Sequence, residues 1–145
     1  MLIKTDYALW IKETVDLLKE RNYHSVDWEN LIEEVESLGR SQRRELKNRL
    51  TTILEHCLKL CYSSYVQDYR GWNETISRSQ RQLKGLLEDS PSLKQYWDEI
   101  LLECYLDALV TLRENRDYQD FAFPDECPFP KKIDQLLQKT SWRTE

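Results

Sequence analysis

The chain has 145 residues, a formal net charge of −5 at pH 7 and 32% charged residues. With only 3 glycines and 4 prolines, this composition excludes collagen-like, low-complexity and turn-rich all-β chains. The 5 tryptophans, 8 tyrosines and 3 phenylalanines exclude an ordinary disordered segment. The length predicts a single domain over residues 1–145, and the composition favours a charged, helical one.

The first twenty residues carry acids and lysines throughout, so they lack the apolar core of a secretory signal. No apolar run approaches the roughly 20 residues that span a bilayer, and we expect a cytoplasmic protein without a membrane partner.

The spacing of the four cysteines includes no C-x-x-C pair; they are Cys57, Cys61, Cys104 and Cys127. We interpret them as thiols packed in the core, with a metal or redox role as the alternative.

Six helical segments and no strand are predicted from the spacing of the apolar residues. The first covers about Tyr7 to Arg21, with Thr5 or Asp6 as its N-cap. The second begins after the N-cap Asp27 and ends before Gly39, which fits the C′ position of a helix. The remaining four are expected at about Ser41–Tyr62, Trp72–Leu87, Ser90–Asn115 and Lys131–Gln138.

Two details complete the predicted architecture. Ser90 and Pro91 form a start signal for the fifth helix, with a capping side chain followed by Pro at N1. That helix is apolar nearly all round, so we expect it to be central and buried. Phe121, Phe123 and Phe129 are expected to pin the proline-rich stretch to the helices. The predicted fold is all-α, an antiparallel bundle of about four long helices with shorter terminal helices.

Charge is unevenly distributed along the chain. Residues 40–85 carry a net charge of +6, whereas residues 1–39 carry −5 and residues 86–145 carry −6. The basic helices can pair with the acidic helices beside them, which is the simplest interpretation. The alternatives are an acidic protein partner, or a nucleic acid whose phosphates the basic segment binds.

His56 is the main candidate for a chemical role in this sequence. It lies at the margin of the apolar stripe of the third helix, where it can be a hydrogen-bonded structural residue, a ligand or a proton shuttle. Ile53 stands three residues before it, so the Glu-x-x-His motif of di-iron bundles is absent. The neighbouring Cys57 points about 100° away on the helix, so the two side chains cannot face each other. A metal-dependent enzyme centred on His56 and nearby carboxylates remains an alternative.

Several blocks of sequence resemble a known bacterial family. They are D-Y-A-L-W from Asp6, D-W-E-N-L-I-E-E-V-E-S-L-G-R-S from Asp27, I-L-E-H-C-L-K from Ile53, W-N-E-T-I-S-R-S-Q-R from Trp72, L-L-E-D-S-P-S-L from Leu86 and F-P-D-E-C-P from Phe123. In this order they are similar to DUF29, an all-helical family of unknown function that is common in cyanobacteria and some proteobacteria. The resemblance implies an all-helical fold and no established activity. It maps motif positions onto Asp27, Glu33, Glu34, His56, Lys59, Trp72, Thr75, Arg78, Gln80, Arg81, Ser90 and Pro91.

From these observations we expect a non-enzymatic helical module for protein interaction or regulation. The polar motif residues would form either its recognition surface or a buried polar network: His56, Trp72, Thr75, Arg78 and Arg81. Another protein is the expected partner, and nucleic acid binding through residues 40–85 is an alternative. No cofactor is expected, and the oligomeric state is left open, with a homodimer among the options.

Overall fold

Every regular element of the protein is helical in the part of the chain that the structure describes. The computed structural model describes residues 2–142 and contains no strand there. This confirms the predicted all-α fold with four long helices. The helices are α1 (Leu2–Thr5), α2 (Tyr7–Lys19), α3 (Trp28–Tyr62), α4 (Tyr69–Asp89), α5 (Trp97–Glu114) and α6 (Ile133–Gln138).

Helix α3 joins what the sequence predicted as two helices. It is continuous over 35 residues, and Gly39 lies in its interior instead of at a C′ position. Arg40 favours the continuity, because its guanidinium contacts the carboxylates of Glu33 (2.9 Å) and Glu36 (3.8 Å) in the preceding turns. It also donates a hydrogen bond to the hydroxyl of Ser37. These contacts connect the helical turns around Gly39, so the predicted break was wrong.

The predicted helix starts were partly right. Asp6 accepts a hydrogen bond from the backbone N–H of Leu9, and Asp27 accepts one from that of Asn30, as N-caps do. Ser90 differs, because its hydroxyl donates to Gln42 and its side chain caps no helix. A 3-10 helix, Pro91–Tyr96, follows it and α5 begins only at Trp97.

The backbone divides into two compact units, one ending at Ser41 and the other beginning at Gln42. The first unit is an antiparallel hairpin of α2 and the first turns of α3, preceded by α1. The hydroxyl of Tyr7 donates to the carboxylate of Glu34 at 2.6 Å, which sets the register of the hairpin. Among the apolar side chains of this unit that the structure describes, over residues 2–41, Trp10 and Val26 are the buried ones. The interpretation of residues 1–145 as one domain stays a prediction.

The second unit holds the main hydrophobic core. Its most enclosed element is the C-terminal half of α3, which contributes seven buried residues: Leu46, Leu50, Ile53, Leu54, Cys57, Leu58 and Leu60. Phe123 and Phe129 are buried and Phe121 packs against the core, so the proline-rich stretch is pinned as predicted.

Helix α5 is less enclosed than its composition predicted. Leu109 on one side is buried, but Leu102, Leu106 and Val110 are about half exposed. These three residues are spaced by four and therefore share one side of the helix. The prediction of a helix buried all round was wrong, because apolar composition does not tell what covers a given side.

Side chains of the helices hold the segment after α5 through its backbone carbonyl oxygens. The indole N–H of Trp97 donates to the carbonyl of Lys131 at 2.8 Å. The hydroxyl of Tyr105 donates to the carbonyl of Pro124 at 2.6 Å. These bonds anchor a segment that has little regular structure of its own.

Candidate functional site

Helices α3 and α4 run antiparallel, and two contacts fix their register. The ammonium of Lys59 lies over the ring of Trp72, and Gln42 accepts a hydrogen bond from Ser90 at the other end of the pair. Stepping along both helices from these contacts at 1.5 Å per residue places His56 level with Thr75. The seam between α3 and α4 therefore brings three of the five predicted site residues to one region: His56, Trp72 and Thr75.

Lys59 is the centre of this region, although it is not among the five predicted site residues. Its Nζ lies 5.8 Å from the ring centroid of Trp72 and 5.3 Å from that of Tyr118. Its ammonium also contacts the carboxylate of Glu55 at 3.5 Å, and the two side chains are only 15% and 23% exposed. A cation held between two aromatic rings and a carboxylate is attracted to all three. The pattern L-K-L of residues 58–60, a charge within an apolar stretch, was the available signal.

Tyr118, one of the two rings beside this lysine, belongs to a larger aromatic cluster. Tyr65 packs edge-on against Tyr118 and Phe121, with ring centroids 5.6 and 5.4 Å apart, an arrangement that the ring quadrupoles favour. The hydroxyl of Tyr65 donates to the backbone carbonyl of Asp117. Burial raises the pKa of the Tyr118 hydroxyl above its ordinary value. The cluster thus connects the end of α3 to the segment after α5.

His56 is half-buried, and burial favours the neutral form of its ring. Its Nδ1 donates to the backbone carbonyl of Thr52 at 2.9 Å, because a carbonyl can only accept. Burial lowers the pKa of His56 below its ordinary value, and the hydrogen bond to Thr52 partly opposes that shift. A neutral imidazole with Nδ1–H leaves Nε2 as an acceptor.

The other seam residue, Thr75, is satisfied within its own helix. Its hydroxyl donates to the backbone carbonyl of Gly71 at 3.1 Å. Over residues 2–142, no group of three or more His, Cys, Asp or Glu side chains is placed to hold a metal ion. The donors that a metal-dependent enzyme around His56 would need are therefore not assembled in this part of the chain.

Arg78 and Arg81 lie on a different surface from the seam. Both are exposed on the outer face of α4, where they line an open depression together with Arg70, Asn73, Glu74 and Ser77. Arg70 pairs with Glu74 at 3.4 Å. Neither Arg78 nor Arg81 forms an ion pair with any residue that the structure describes. The five predicted site residues therefore divide between the seam and this outer face.

Gln80 is a motif residue with a structural role that sequence reasoning missed. It is buried on α4, and its amide donates to the carbonyl oxygens of Leu136 (3.0 Å) and Lys139 (2.9 Å). These bonds hold α6 against α4. No local sequence pattern predicts them, because their partners lie more than fifty residues away.

The cysteines form no disulfide in the described part of the chain. Cys57 and Cys104 are buried, and burial raises the pKa of both thiols. A raised thiol pKa lowers the thiolate fraction and hence the reactivity. The thiol of Cys61 donates to the backbone carbonyl of Trp142 at 2.9 Å, so it adds one more bond to the terminal segment.

These features define an all-helical protein with a lysine-centred seam and a basic outer helix face. No helix of the described residues has the length and apolarity needed to cross a membrane. The chain belongs to the family described as domain of unknown function DUF29, whose model matches residues 2–142. No curated protein and no solved structure matches the chain.

Proposed function

We propose that this protein is a non-enzymatic interaction module of the cytoplasm that binds an acidic protein partner through the outer face of α4. The observation that carries the proposal is the exposure of Arg78 and Arg81 without an acidic partner in the described chain. Arginine is among the residue types most often found at energetic hot spots of interfaces. Its planar fork of donors suits carboxylates in two-point contacts.

The seam residues serve this surface indirectly. Trp72 and Lys59 bind α4 to α3, and His56 lies level with Thr75 along the same seam. We assign them to holding α4 in place, so that the arginines are presented on a fixed helix. Their replacement should lower stability and leave the contacts of a correctly folded module with its partner intact.

The test uses three versions of the full chain as baits in a lysate of cells that express the natural partner. The variant Arg78→Ala/Arg81→Ala removes two cations from the outer face. The matched control Lys131→Ala/Lys132→Ala removes two exposed cations elsewhere, in the turn before α6. We expect the wild type and the control to retain the same acidic protein, identified by mass spectrometry, and the double arginine variant to lose it.

Two results would overturn the proposal. Equal capture by all three baits would show that the arginines do not contact the partner. Capture that disappears after nuclease treatment would instead assign the basic surface to nucleic acid, whose binding falls steeply with salt.

A further inference from the structure

The hairpin that ends at Ser41 exposes a wide apolar side to solvent. Tyr7, Ile11 and Val15 on α2 and Ile32, Val35 and Leu38 on α3 are between 40% and 69% exposed. We call these six residues the hairpin face. In contrast, the buried apolar side chains of residues 2–41 are limited to Trp10 and Val26.

The six residues lie on one side of the hairpin. Trp10 and Thr14 mark the side of α2 that is buried, and the Tyr7–Glu34 hydrogen bond marks the side of α3 that faces α2. From these directions, the apolar residues of each helix lie on average about a quarter of a turn further round at 100° per residue, with Tyr7 and Leu38 nearest the contact between the helices and Ile32 nearest the outer edge. Because the helices run antiparallel, the same sense of rotation leads to the same side of the pair.

We infer that this face is the contact surface for a second copy of the chain, so that two hairpins form a four-helix bundle. An antiparallel helix pair with one apolar side is half of such a bundle, and an isologous contact needs only that surface to be self-complementary. The hairpin face offers on the order of 500 Å² of apolar surface, a large part of the ~800 Å² per partner that stable interfaces bury.

Charge on the edges of the face favours one way of stacking. Lys12 lies on the outer edge of α2, and Glu29 lies about 40° past the outer edge of α3, turned away from the hairpin face. The Tyr7–Glu34 contact puts the two at the same height. In a dimer whose two-fold axis runs parallel to the helices, α2 stacks on α3 of the second copy. Lys12 of each copy then comes beside Glu29 of the other, which offsets part of the repulsion between two acidic hairpins.

The experiment measures the oligomeric state of the full chain by sedimentation equilibrium over a range of concentrations. The wild type is expected to dimerise. The variant Val35→Glu/Leu38→Glu places like charges against each other across the two-fold axis, and both positions are exposed, so each copy should keep its fold. We expect its dissociation constant to rise at least about tenfold, with the helical circular dichroism signal unchanged.

Leu106→Glu is the matched control, because Leu106 is a similarly exposed apolar residue on α5, outside the hairpin face. It should dimerise like the wild type. A monomeric wild type overturns the inference, and so does a dimer that Leu106→Glu dissociates while Val35→Glu/Leu38→Glu does not.

The charge pair gives a second measurement. Lys12→Glu should raise the dissociation constant several-fold at low salt, and Lys12→Glu/Glu29→Lys should bring it back towards the wild-type value. Failure of the double variant to recover would overturn the stacking of α2 on α3.

Discussion

The ammonium of Lys59 lies 5.8 Å from the ring centroid of Trp72, and this contact joins the last turns of α3 to the first turns of α4. Lys59 is shielded from water by the rings around it and keeps its carboxylate partner Glu55 at 3.5 Å. The contact therefore supports the geometry of the seam on which the outer face of α4 depends.

Replacing Lys59 by Met should destabilise the protein. Met keeps the apolar stem but removes the cation, so Glu55 loses its partner and the rings lose their cation–π contact. We expect a loss of about 1–2 kcal/mol in the free energy of unfolding, measured by urea denaturation. The exposed Lys94 provides the control, and Lys94→Met should change stability little. A cycle of Lys59→Met, Trp72→Leu and the double variant should show a coupling of about 0.5–2 kcal/mol; additive effects would contradict the contact.

His56 should make stability depend on pH. Burial lowers its pKa in the folded protein, so between this lowered pKa and the ordinary value of 6.5 the unfolded chain binds more protons than the folded one. The free energy of unfolding should therefore fall as the pH decreases from 7.5 through 6.5 towards the folded-state pKa. His56→Gln should remove this part of the pH dependence.

The exposed His24 provides the control variant His24→Gln for that measurement. Identical pH profiles for the wild type and His56→Gln would show that His56 has the same proton affinity in both states.

Gln80 should act as the clamp of the C-terminal helix. Gln80→Leu has a similar volume but no donor, which leaves the buried carbonyl of Leu136 without its partner. We expect a loss of about 1–3 kcal/mol and faster amide hydrogen exchange at Leu136 and Leu137. Gln82 lies exposed on the same helix, and Gln82→Leu should alter neither quantity. Unchanged exchange in Gln80→Leu would argue against the clamp.

Gly39→Ala should stabilise the protein. Gly39 lies inside a continuous helix without a positive φ, and a Cβ built there meets nothing within 4 Å. Alanine should add about 0.5–1 kcal/mol to the free energy of unfolding, as should Gly85→Ala in α4, where a Cβ is equally unobstructed. A lower thermal midpoint for Gly39→Ala alone would mean that the chain ends a helix there.

The sequence predicted the features that depend on near neighbours. The caps Asp6 and Asp27 follow from local hydrogen bonding, and the structure confirms them. Gly39 was interpreted as the end of one helix because glycine is typical of the C′ position, and Ser41 two residues later resembles the start of the next helix. The ion pairs of Arg40 with Glu33 and Glu36 favour a continuous helix through this position. A prediction that rests on the glycine alone does not include their combined effect.

The division of the candidate site also has a geometric cause. Thr75, Arg78 and Arg81 are spaced by three, and each step of three turns the side chain back by about 60°. Two steps are enough to move from the seam to the outer face of α4. Lys59 was harder to find, since the rings that enclose it come from α4 and from the segment after α5.

The bonds to the backbone after α5 bear on how this family can diverge. Trp97, Tyr105 and Gln80 donate to carbonyl oxygens, and every amino acid carries such an oxygen. The segment after α5 is therefore held through the course of its backbone and not through most of its side chains. Substitutions at its solvent-facing positions should accumulate as neutral drift among homologues, while the three donors on the helices remain under purifying selection.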